Sequence, residues 1–294
     1  MSIDSSIELS CNCTMKTDIS LNYEFKLSSA SIWIVKKYVE LEKQLEDHLN
    51  TYHLAHSIDG LYRFLWDYFA DWYVEYLKTD PTQIPFAKDL FRQYIVTLSP
   101  YCPFETEVLW RQFFGESQLL AMTEKDMNWS REIFKQIDNL EKSSEFEIVI
   151  DFISRVRSLR GLFAIDPVTR LEIQTENTIL SQYLDFIALT GRCSLVSSHP
   201  KSYRIQTSHY EFSVDILNYI TDITFEMNRT NKIIISLEKQ ISALNTQLSN
   251  QKFIENADPD TVIEKQNQLT ERAREIKEQT DKLTTLQNTQ LIGG

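Results

Sequence analysis

Three acidic residues, Asp67, Asp71 and Glu75, are spaced four residues apart within an aromatic-rich stretch of the chain. On an α-helix this spacing places the three carboxylates on one face. Carboxylates that converge in a pocket could serve general acid–base chemistry or bind a divalent cation. The opposite helical positions are mostly aromatic and predict a buried face; they are Leu65, Phe69, Trp72 and Tyr76. The acidic stripe is therefore predicted to be the polar face of a helix, or to hold Arg and Lys side chains of neighbouring helices.

Other residue types that carry chemistry are present, but not in catalytic patterns. His53 and His56 lie three residues apart without a Glu or Cys pattern around them, which favours a helix junction over a metal site. The cysteines lack zinc-finger spacing and are predicted to be reduced thiols. They are Cys11, Cys13, Cys102 and Cys193. Because the sequence also lacks a glycine-rich phosphate loop and a nucleophile elbow, it predicts no catalytic site, no metal site and no bound cofactor.

The overall composition favours helices and disfavours a general attraction to nucleic acid. The 294 residues include only 6 Gly and 7 Pro, and 42% are hydrophobic, which suits about two largely helical domains. The net charge of −12 means that any contact with RNA must come from local basic patches. No stretch approaches the roughly 18 apolar residues of a membrane span, and residues 1–20 lack a signal-peptide pattern. We expect a soluble, cytoplasmic protein.

Helical periodicity dominates residues 28–167, which follow a polar lead-in at residues 1–27. Ser57 predicts the N-terminus of a helix, and Pro103 fits the first turn of another, where its missing N–H costs nothing. The remaining helices are predicted from apolar spacing at residues 30–50, 87–98, 130–141 and 145–163. Together these segments predict a bundle of amphipathic helices.

Short alternating segments replace the helical pattern at residues 168–230. Strand-like patterns occur at residues 169–174, 193–198, 202–207 and 210–215. A helical pattern at residues 177–189 separates the first two. This arrangement predicts a small α+β module.

Residues 231–294 carry two coiled-coil seams of similar length. Apolar or small residues spaced alternately by three and four are typical of a and d positions. In the first seam they are Leu237, Ile241, Leu244 and Leu248, and in the second they are Leu269, Ala273, Ile276, Thr280 and Leu283. Between the seams, Asp258 is a candidate N-cap and Pro259 a candidate first helical residue. A break at residues 250–261 therefore predicts an antiparallel hairpin.

The segment "FLWDYFADWYVE" (residues 64–75) is the first of several motifs that point to one family. It is similar to the tryptophan-rich helix of the anticodon-binding domain in the C-terminal part of valyl-tRNA synthetases, with Ala70 in place of the usual Cys. The preceding "IWIV" (residues 32–35) is similar to the family's "RWIL". The later "LSPYCPFETEVLW" (residues 98–110) resembles the family's "LHPFMPFITEELW", with Ser99 in the place of His.

Two further motifs extend the resemblance to about residues 28–288. The segment "VRSLRGLFAIDP" (residues 156–167) resembles "IRNIRAEMNIPP", with Leu162 replacing an acid. The segment "SNQKFIENADPDTVIEKQ" (residues 249–266) is similar to the turn of the family's C-terminal coiled-coil arm. The order and spacing of these motifs are specific to the family.

The resemblance implies a mainly α fold with four parts. These are the lead-in (residues 1–27), an anticodon-binding helical bundle (28–167), a small α+β module (168–230) and an antiparallel coiled-coil arm (231–294). The bundle would hold the anticodon end of tRNA(Val), and the arm would touch the outer corner of the tRNA. Both would orient the tRNA towards a separate catalytic domain.

The signatures of that catalytic domain do not occur in this sequence. The family binds ATP through HIGH-type and KMSKS-type motifs, and ATP and magnesium are therefore implied only for the catalytic domain. We expect this chain alone neither to activate valine nor to charge tRNA. The sequence leaves open whether the chain is a fragment, half of a split enzyme or a free-standing paralogue.

The candidate tRNA-binding residues are the basic side chains of three segments. They are Lys36, Lys37, Arg155, Arg157, Arg160, Lys252, Arg272, Arg274 and Lys277. Residues 231–294 carry eight Lys or Arg and nine Asp or Glu, so the arm is nearly neutral and the rest of the chain has a net charge of −11. Interleaved charges are also normal on a solvated coiled coil. Arg157 and Arg160 could instead pair with the acidic stripe.

Two functions follow from these patterns. The first is a tRNA(Val)-binding portion of valine–tRNA ligase. The second is a protein-interaction module that retained the fold, lost tRNA binding and uses its coiled coil to bind another chain. The retained family motifs favour the tRNA-binding function. The net negative charge outside residues 231–294 and the replacement of a family acid by Leu162 favour the protein-interaction module. An adjacent reading frame for a catalytic domain would decide for the first.

Overall fold

The computed structural model describes residues 26–114, 133, 142–197, 203–207, 209–220 and 222–290. Within these ranges, side chains are left undescribed at residues 142–143, 217, 252, 255–256 and 288–290. Most of the polar lead-in, Cys11, Cys13 and nearly all of the helix predicted at residues 130–141 therefore lie outside the described residues.

The first half of the described chain is helical. Its elements are α1 (Ser29–Asn50), α2 (Leu54–Arg63), a π-helical stretch (Phe64–Val74), α3 (Glu75–Leu77), a 3-10 turn (Pro81–Gln83), α4 (Ile84–Leu98) and α5 (Pro103–Phe114). The helices predicted at residues 30–50 and 87–98 are confirmed, and Pro103 begins α5 as its missing N–H predicts.

Backbone contacts divide the chain into two compact units. The first holds the described residues of Met1–Leu65 and Pro81–Asn139, and the second those of Trp66–Asp80 and Leu140–Gly294.

The core of the first unit contains aromatic side chains, and two of its buried tyrosine hydroxyls are hydrogen-bonded. Phe64 stacks on Tyr94 with ring centroids 5.4 Å apart, and the Tyr94 hydroxyl donates to the Leu61 carbonyl at 3.0 Å. The Tyr38 and Thr97 hydroxyls share a buried hydrogen bond of 2.7 Å. Burial raises the pKa of both tyrosines above the usual range, so each hydroxyl keeps its proton.

The prediction that Ser57 caps the second helix is wrong. The chain reverses at Tyr52, which has a φ of 60°, and α2 starts at Leu54 with His53 at its N-terminus. The His53 carbonyl accepts from the amides of His56 and Ser57. Because the chain reverses so tightly, α2 begins about one helical turn earlier in the sequence than predicted. Ser57 is therefore buried inside α2.

The acidic stripe lies on a helix with an expanded turn. The buried aromatic residues of this region are Phe64, Phe69, Tyr73 and Tyr76. The five-residue step from Phe64 to Phe69 falls in the π-helical stretch, where each turn holds about one extra residue. This extra residue rotates the buried face, so that Tyr73 is buried and Trp72 is only half-buried. On the face predicted to be buried from α-helical spacing, Phe69 and Tyr76 are buried, whereas Leu65 and Trp72 are only half-buried.

The second unit contains a four-stranded sheet and a long helix, α6 (Lys142–Phe163). The strands are β1 (Leu171–Thr175), β2 (Cys193–Val196), β3 (Tyr203–Gln206) and β4 (Glu211–Val214), in the order β2-β1-β4-β3. β1 pairs with β2 in parallel and with β4 antiparallel. A 3-10 turn (Leu180–Tyr183) and α7 (Leu184–Thr190) connect β1 to β2. The predicted strands and helix are all present, and the α+β module is confirmed.

The C-terminal part of the second unit is a helical hairpin, which we call the arm. It consists of α8 (Ile223–Leu248), a short α9 (Gln251–Asn256) and α10 (Pro259–Gln290), with α8 and α10 packed along each other. Asp222 caps α8 by accepting from the Phe225 amide at 2.8 Å. The Asp258 carboxylate accepts from the Asp260 amide at 3.1 Å, and Pro259 begins α10. The antiparallel hairpin is thereby confirmed.

The seam of α10 differs from the predicted one. Ala273 and Thr280 are exposed. The half-buried or buried positions include a 3, 4 repeat formed by Val262, Lys265, Leu269, Arg272, Ile276, Gln279, Leu283 and Leu286. Further covered positions lie beside this repeat, at Thr261, Gln268, Glu275, Lys282 and Thr285. Long polar side chains can occupy such positions because their methylene stems pack in the seam while their polar ends reach outwards. The sequence prediction sought small or apolar residues and therefore placed Ala273 and Thr280 in the seam. The structure has Arg272 and Gln279 there instead.

We expect Leu237→Asp to unfold the arm more completely than Leu244→Asp. Leu237 is only 5% exposed, whereas Leu244 is half-buried, and a buried unpaired charge costs several kcal/mol. Helicity measured by circular dichroism on the full chain should fall in that order. The exposed neighbour change Ala243→Asp is the matched control on α8. Equal helicity for Leu237→Asp and the control would contradict the seam assignment.

Candidate nucleic-acid interface

Arg160 on α6 is engaged within the second unit. It is 8% exposed, and its guanidinium donates to the carbonyls of Asp166, Thr169, Gly191 and Arg192 at 2.7–3.3 Å. These carbonyls belong to the segment that follows α6 and to the turn that precedes β2. With its donors committed to backbone oxygens, Arg160 cannot contact a phosphate in this structure. These contacts give Arg160 a structural role, and tRNA binding by Arg160 stays a prediction.

Arg155 and Arg157 are exposed but partly engaged. The Arg157 guanidinium lies 4.9 Å from the ring centroid of Trp72 and also donates to the Thr190 carbonyl at 3.4 Å. Arg155 donates to Asp151 at 2.9 Å, and Asp151 also accepts from the Tyr210 hydroxyl at 2.5 Å. Stacking on an indole fixes the position of the Arg157 plane and leaves its outer edge available. Of the three arginines, Arg157 is the best placed for a backbone phosphate.

The arginines of α6 do not pair with the acidic stripe, contrary to one alternative from the sequence. Asp67 and Asp71 are exposed, and Glu75 pairs with Lys78 at 2.6 Å. Within the described ranges, no group of three or more His, Cys, Asp or Glu side chains is placed to hold a metal ion. The stripe is the solvated face of its helix.

The first unit carries two half-buried lysines and two prominent exposed rings. Lys37 lies 3.6 Å from Glu40, and Lys36 is half-buried beside it on α1. The side chains of Tyr52 and Phe104 are 89% and 83% exposed. Exposed aromatic rings can stack on the unpaired bases of an RNA loop. Sequence periodicity did not single out these two rings, because it identifies buried positions rather than exposed ones.

On the arm, the predicted arginines are ion-paired along α10. Arg272 donates twice to Glu275 at 2.7 Å, and Arg274 lies 3.8 Å from Glu278. Lys277 is exposed. The side chain of Lys252 lies outside the description. The arginine positive charges of α10 are thus partly neutralised by acids on the same helix.

Sequence reasoning missed three other lysines of the arm, a pair on α8 and a single buried one on α10. Lys232 and Lys239 are exposed on α8, and among the described residues neither forms an ion pair. Lys282 is fully buried and pairs with Glu226 at 2.5 Å. Plotting charges on the outer positions of α8 would have found the first pair, whereas only packing reveals the burial of Lys282.

Comparison with known protein families identifies both halves of this arrangement. Residues 31–175 match the family described as the anticodon-binding domain of tRNA ligase. Residues 222–287, which span α8 to α10, match the family described as the valyl tRNA synthetase tRNA binding arm. The chain belongs to the valyl-tRNA synthetase family. The mainly α fold, with an anticodon-binding helical part, a small α+β module and a coiled-coil arm, is confirmed.

Individual valyl-tRNA synthetases show the same relationship. The chain is similar to the valine–tRNA ligases of Bdellovibrio bacteriovorus (25% identity over 279 residues) and Nitratiruptor sp. (26% over 272 residues). These alignments cover 87% and 86% of this chain but only 31% and 29% of the relatives. The chain thus spans about 30% of the length of the curated relatives it matches. No helix in the described part of the chain is long and apolar enough to cross a membrane.

Proposed function

We propose that this chain binds tRNA(Val) and orients it for aminoacylation by a catalytic domain that is not part of this sequence. The observation that carries the proposal is the presence of both an anticodon-binding domain and a tRNA-binding arm in one chain. The first would hold the anticodon end, and the second would hold the outer corner of the tRNA.

The exposed chemistry of the chain suits a weak, salt-sensitive contact with RNA. Arg157 supplies a guanidinium held on Trp72, Lys36 and Lys37 supply ammonium groups on α1, and the arm supplies further cations. A net charge of −12 opposes nonspecific attraction to a polyanion. Affinity should therefore come from a few local phosphate contacts and from stacking on unpaired bases.

Catalysis would require a partner. The residues of this chain include no ATP-binding signature, so ATP and magnesium would be bound by the catalytic domain alone. Valine-dependent ATP–pyrophosphate exchange by the purified chain would contradict this part of the proposal. The alternative function, a protein-interaction module that does not bind tRNA, gains no support from the family comparisons.

We expect the purified chain to bind tRNA(Val) with an affinity that falls steeply as salt rises. The plot of log affinity against log salt should be linear, with a slope of roughly −0.7 to −0.9 for each phosphate contacted. Fluorescence anisotropy with labelled tRNA(Val), at four or more salt concentrations between about 30 and 200 mM, measures this slope.

A non-cognate tRNA and two variants complete the design. Arg157→Ala should lower both affinity and slope, while Lys36→Ala with Lys37→Ala should reduce the preference for tRNA(Val) if α1 faces the anticodon. Ala substitution of the exposed Arg63 is a matched control for lost charge. The absence of any binding at low salt would overturn the proposed function and favour the protein-interaction module.

A further inference from the structure

The outer face of α8, opposite the seam, has an unusual composition. Phe225, Lys232 and Lys239 are each seven residues apart, and such positions share one face of a helix. All three are exposed, and the Phe225 side chain is 66% exposed. The helical rise places successive members about 10 Å apart along the arm. The face is thus a line of one ring and two ammonium groups.

Acidic residues of α8 lie off the line formed by Phe225, Lys232 and Lys239. α8 contains two acids, Glu226 and Glu238. Glu226 is buried against Lys282, and Glu238 lies about 100° around the helix from Lys239. The positions that accompany the lysines on the outer face are uncharged, and they are Asn228, Ile235, Ser242 and Thr246.

The return helix α10 provides the contrast. It carries six acids and five basic residues, and its exposed charges alternate in sign. Arg272 and Arg274 are paired with Glu275 and Glu278, and Asp281 follows Lys277 at the i+4 position, where helical side chains are neighbours. A phosphate approaching α10 would meet cations that are paired with carboxylates, whereas one approaching the outer face of α8 would meet two lysines that form no ion pair with a described residue.

We infer that the outer face of α8 is the RNA-contacting surface of the arm, with Lys232 and Lys239 on backbone phosphates and Phe225 against an exposed base or ribose. This inference rests on the proposed function and assigns its arm contact to particular residues. The occupant is an RNA because the two exposed lysines form no ion pair with a described residue, and because an exposed phenyl ring suits stacking on an unpaired nucleobase.

The test compares two variants of the full chain that lose the same charge. Lys232→Ala with Lys239→Ala should lower the affinity for tRNA(Val) about tenfold and make the salt slope shallower by about 1.4 to 1.8, because two phosphate contacts are lost. Arg274→Ala with Lys277→Ala on α10 should change the affinity by less than about threefold at the same salt. Phe225→Ala should lower affinity about fivefold while leaving the salt slope unchanged, because stacking releases no counterions.

Two controls accompany the comparison. Circular dichroism should show unchanged helicity, since both lysines are exposed, and Lys232→Arg with Lys239→Arg should retain binding. If the wild-type chain binds tRNA(Val) and the α8 variant binds equally well, or if the α10 variant suffers the larger loss, the inference is wrong while the proposed function stands. If the wild-type chain does not bind tRNA(Val) at all, the proposed function and this inference fail together.

Discussion

Lys282→Met is expected to lower the free energy of unfolding by about 3–5 kcal/mol, because it leaves the carboxylate of Glu226 buried without its partner. Lys282 is 0% exposed. Its ammonium group donates to Glu226 at 2.5 Å and to the carbonyl of Leu162 near the end of α6. It also lies 5.2 Å from the ring centroid of Phe163. These contacts tie the base of the arm to α6.

The protonation of Lys282 depends on Glu226. Burial lowers the pKa of Lys282, whereas the hydrogen bond and the negative charge of Glu226 raise it. Arg229 adds a second cation, 3.2 Å from the same carboxylate. Removing the lysine therefore leaves a buried carboxylate with a single, half-exposed counterion.

Urea unfolding of the full chain, followed by circular dichroism, measures this effect. Lys277→Met is the control on the same helix, since Lys277 is exposed, and it should change stability by less than about 0.5 kcal/mol. The double variant Lys282→Met with Glu226→Leu should recover much of the loss, because apolar replacements of a buried ion pair are often neutral or stabilising. A single variant as stable as the control would show that the pair contributes nothing.

Arg160→Ala is expected to destabilise the second unit by at least about 3 kcal/mol without a specific effect on RNA binding. The substitution removes donors from four backbone carbonyls. Each buried acceptor left unpaired costs about 1–3 kcal/mol, reduced where water can enter. Arg160→Lys should recover little, because an ammonium group cannot reproduce the planar fork that bonds both segments.

The matched control is Arg155→Ala on the same helix. Its guanidinium is exposed and pairs with Asp151, so its loss should cost about 1 kcal/mol or less. Under conditions where the Arg160→Ala protein remains folded, its salt slope for tRNA(Val) should equal that of the wild type. A shallower slope with unchanged stability would place Arg160 among the RNA-contacting residues.

Local signals in the sequence determined the elements of this protein and their order. Some signals act only through neighbouring backbone groups, so their effects can be predicted without knowledge of the fold. Examples are Pro103 at the start of α5, Asp258 and Pro259 at the start of α10, and the alternating residue pattern of the strands in the α+β module. The ordered motifs identified the family for the same reason. Each motif is a short local run of residues, and the spacing between motifs can be read directly from the sequence.

Tertiary structure alone decided which side chains remain available for binding. Arg157 and Arg160 are the same residue type three positions apart, yet one is stacked and exposed while the other is buried among carbonyls that follow it in the chain. Lys282 is buried because Glu226, 56 residues away, pairs with it and because Leu162 and Phe163 of α6 also contact its ammonium group. Arg272 enters the seam in place of Ala273 because its long stem packs there. Residue type sets what a side chain can do, but the partners that satisfy or expose it come from distant parts of the chain.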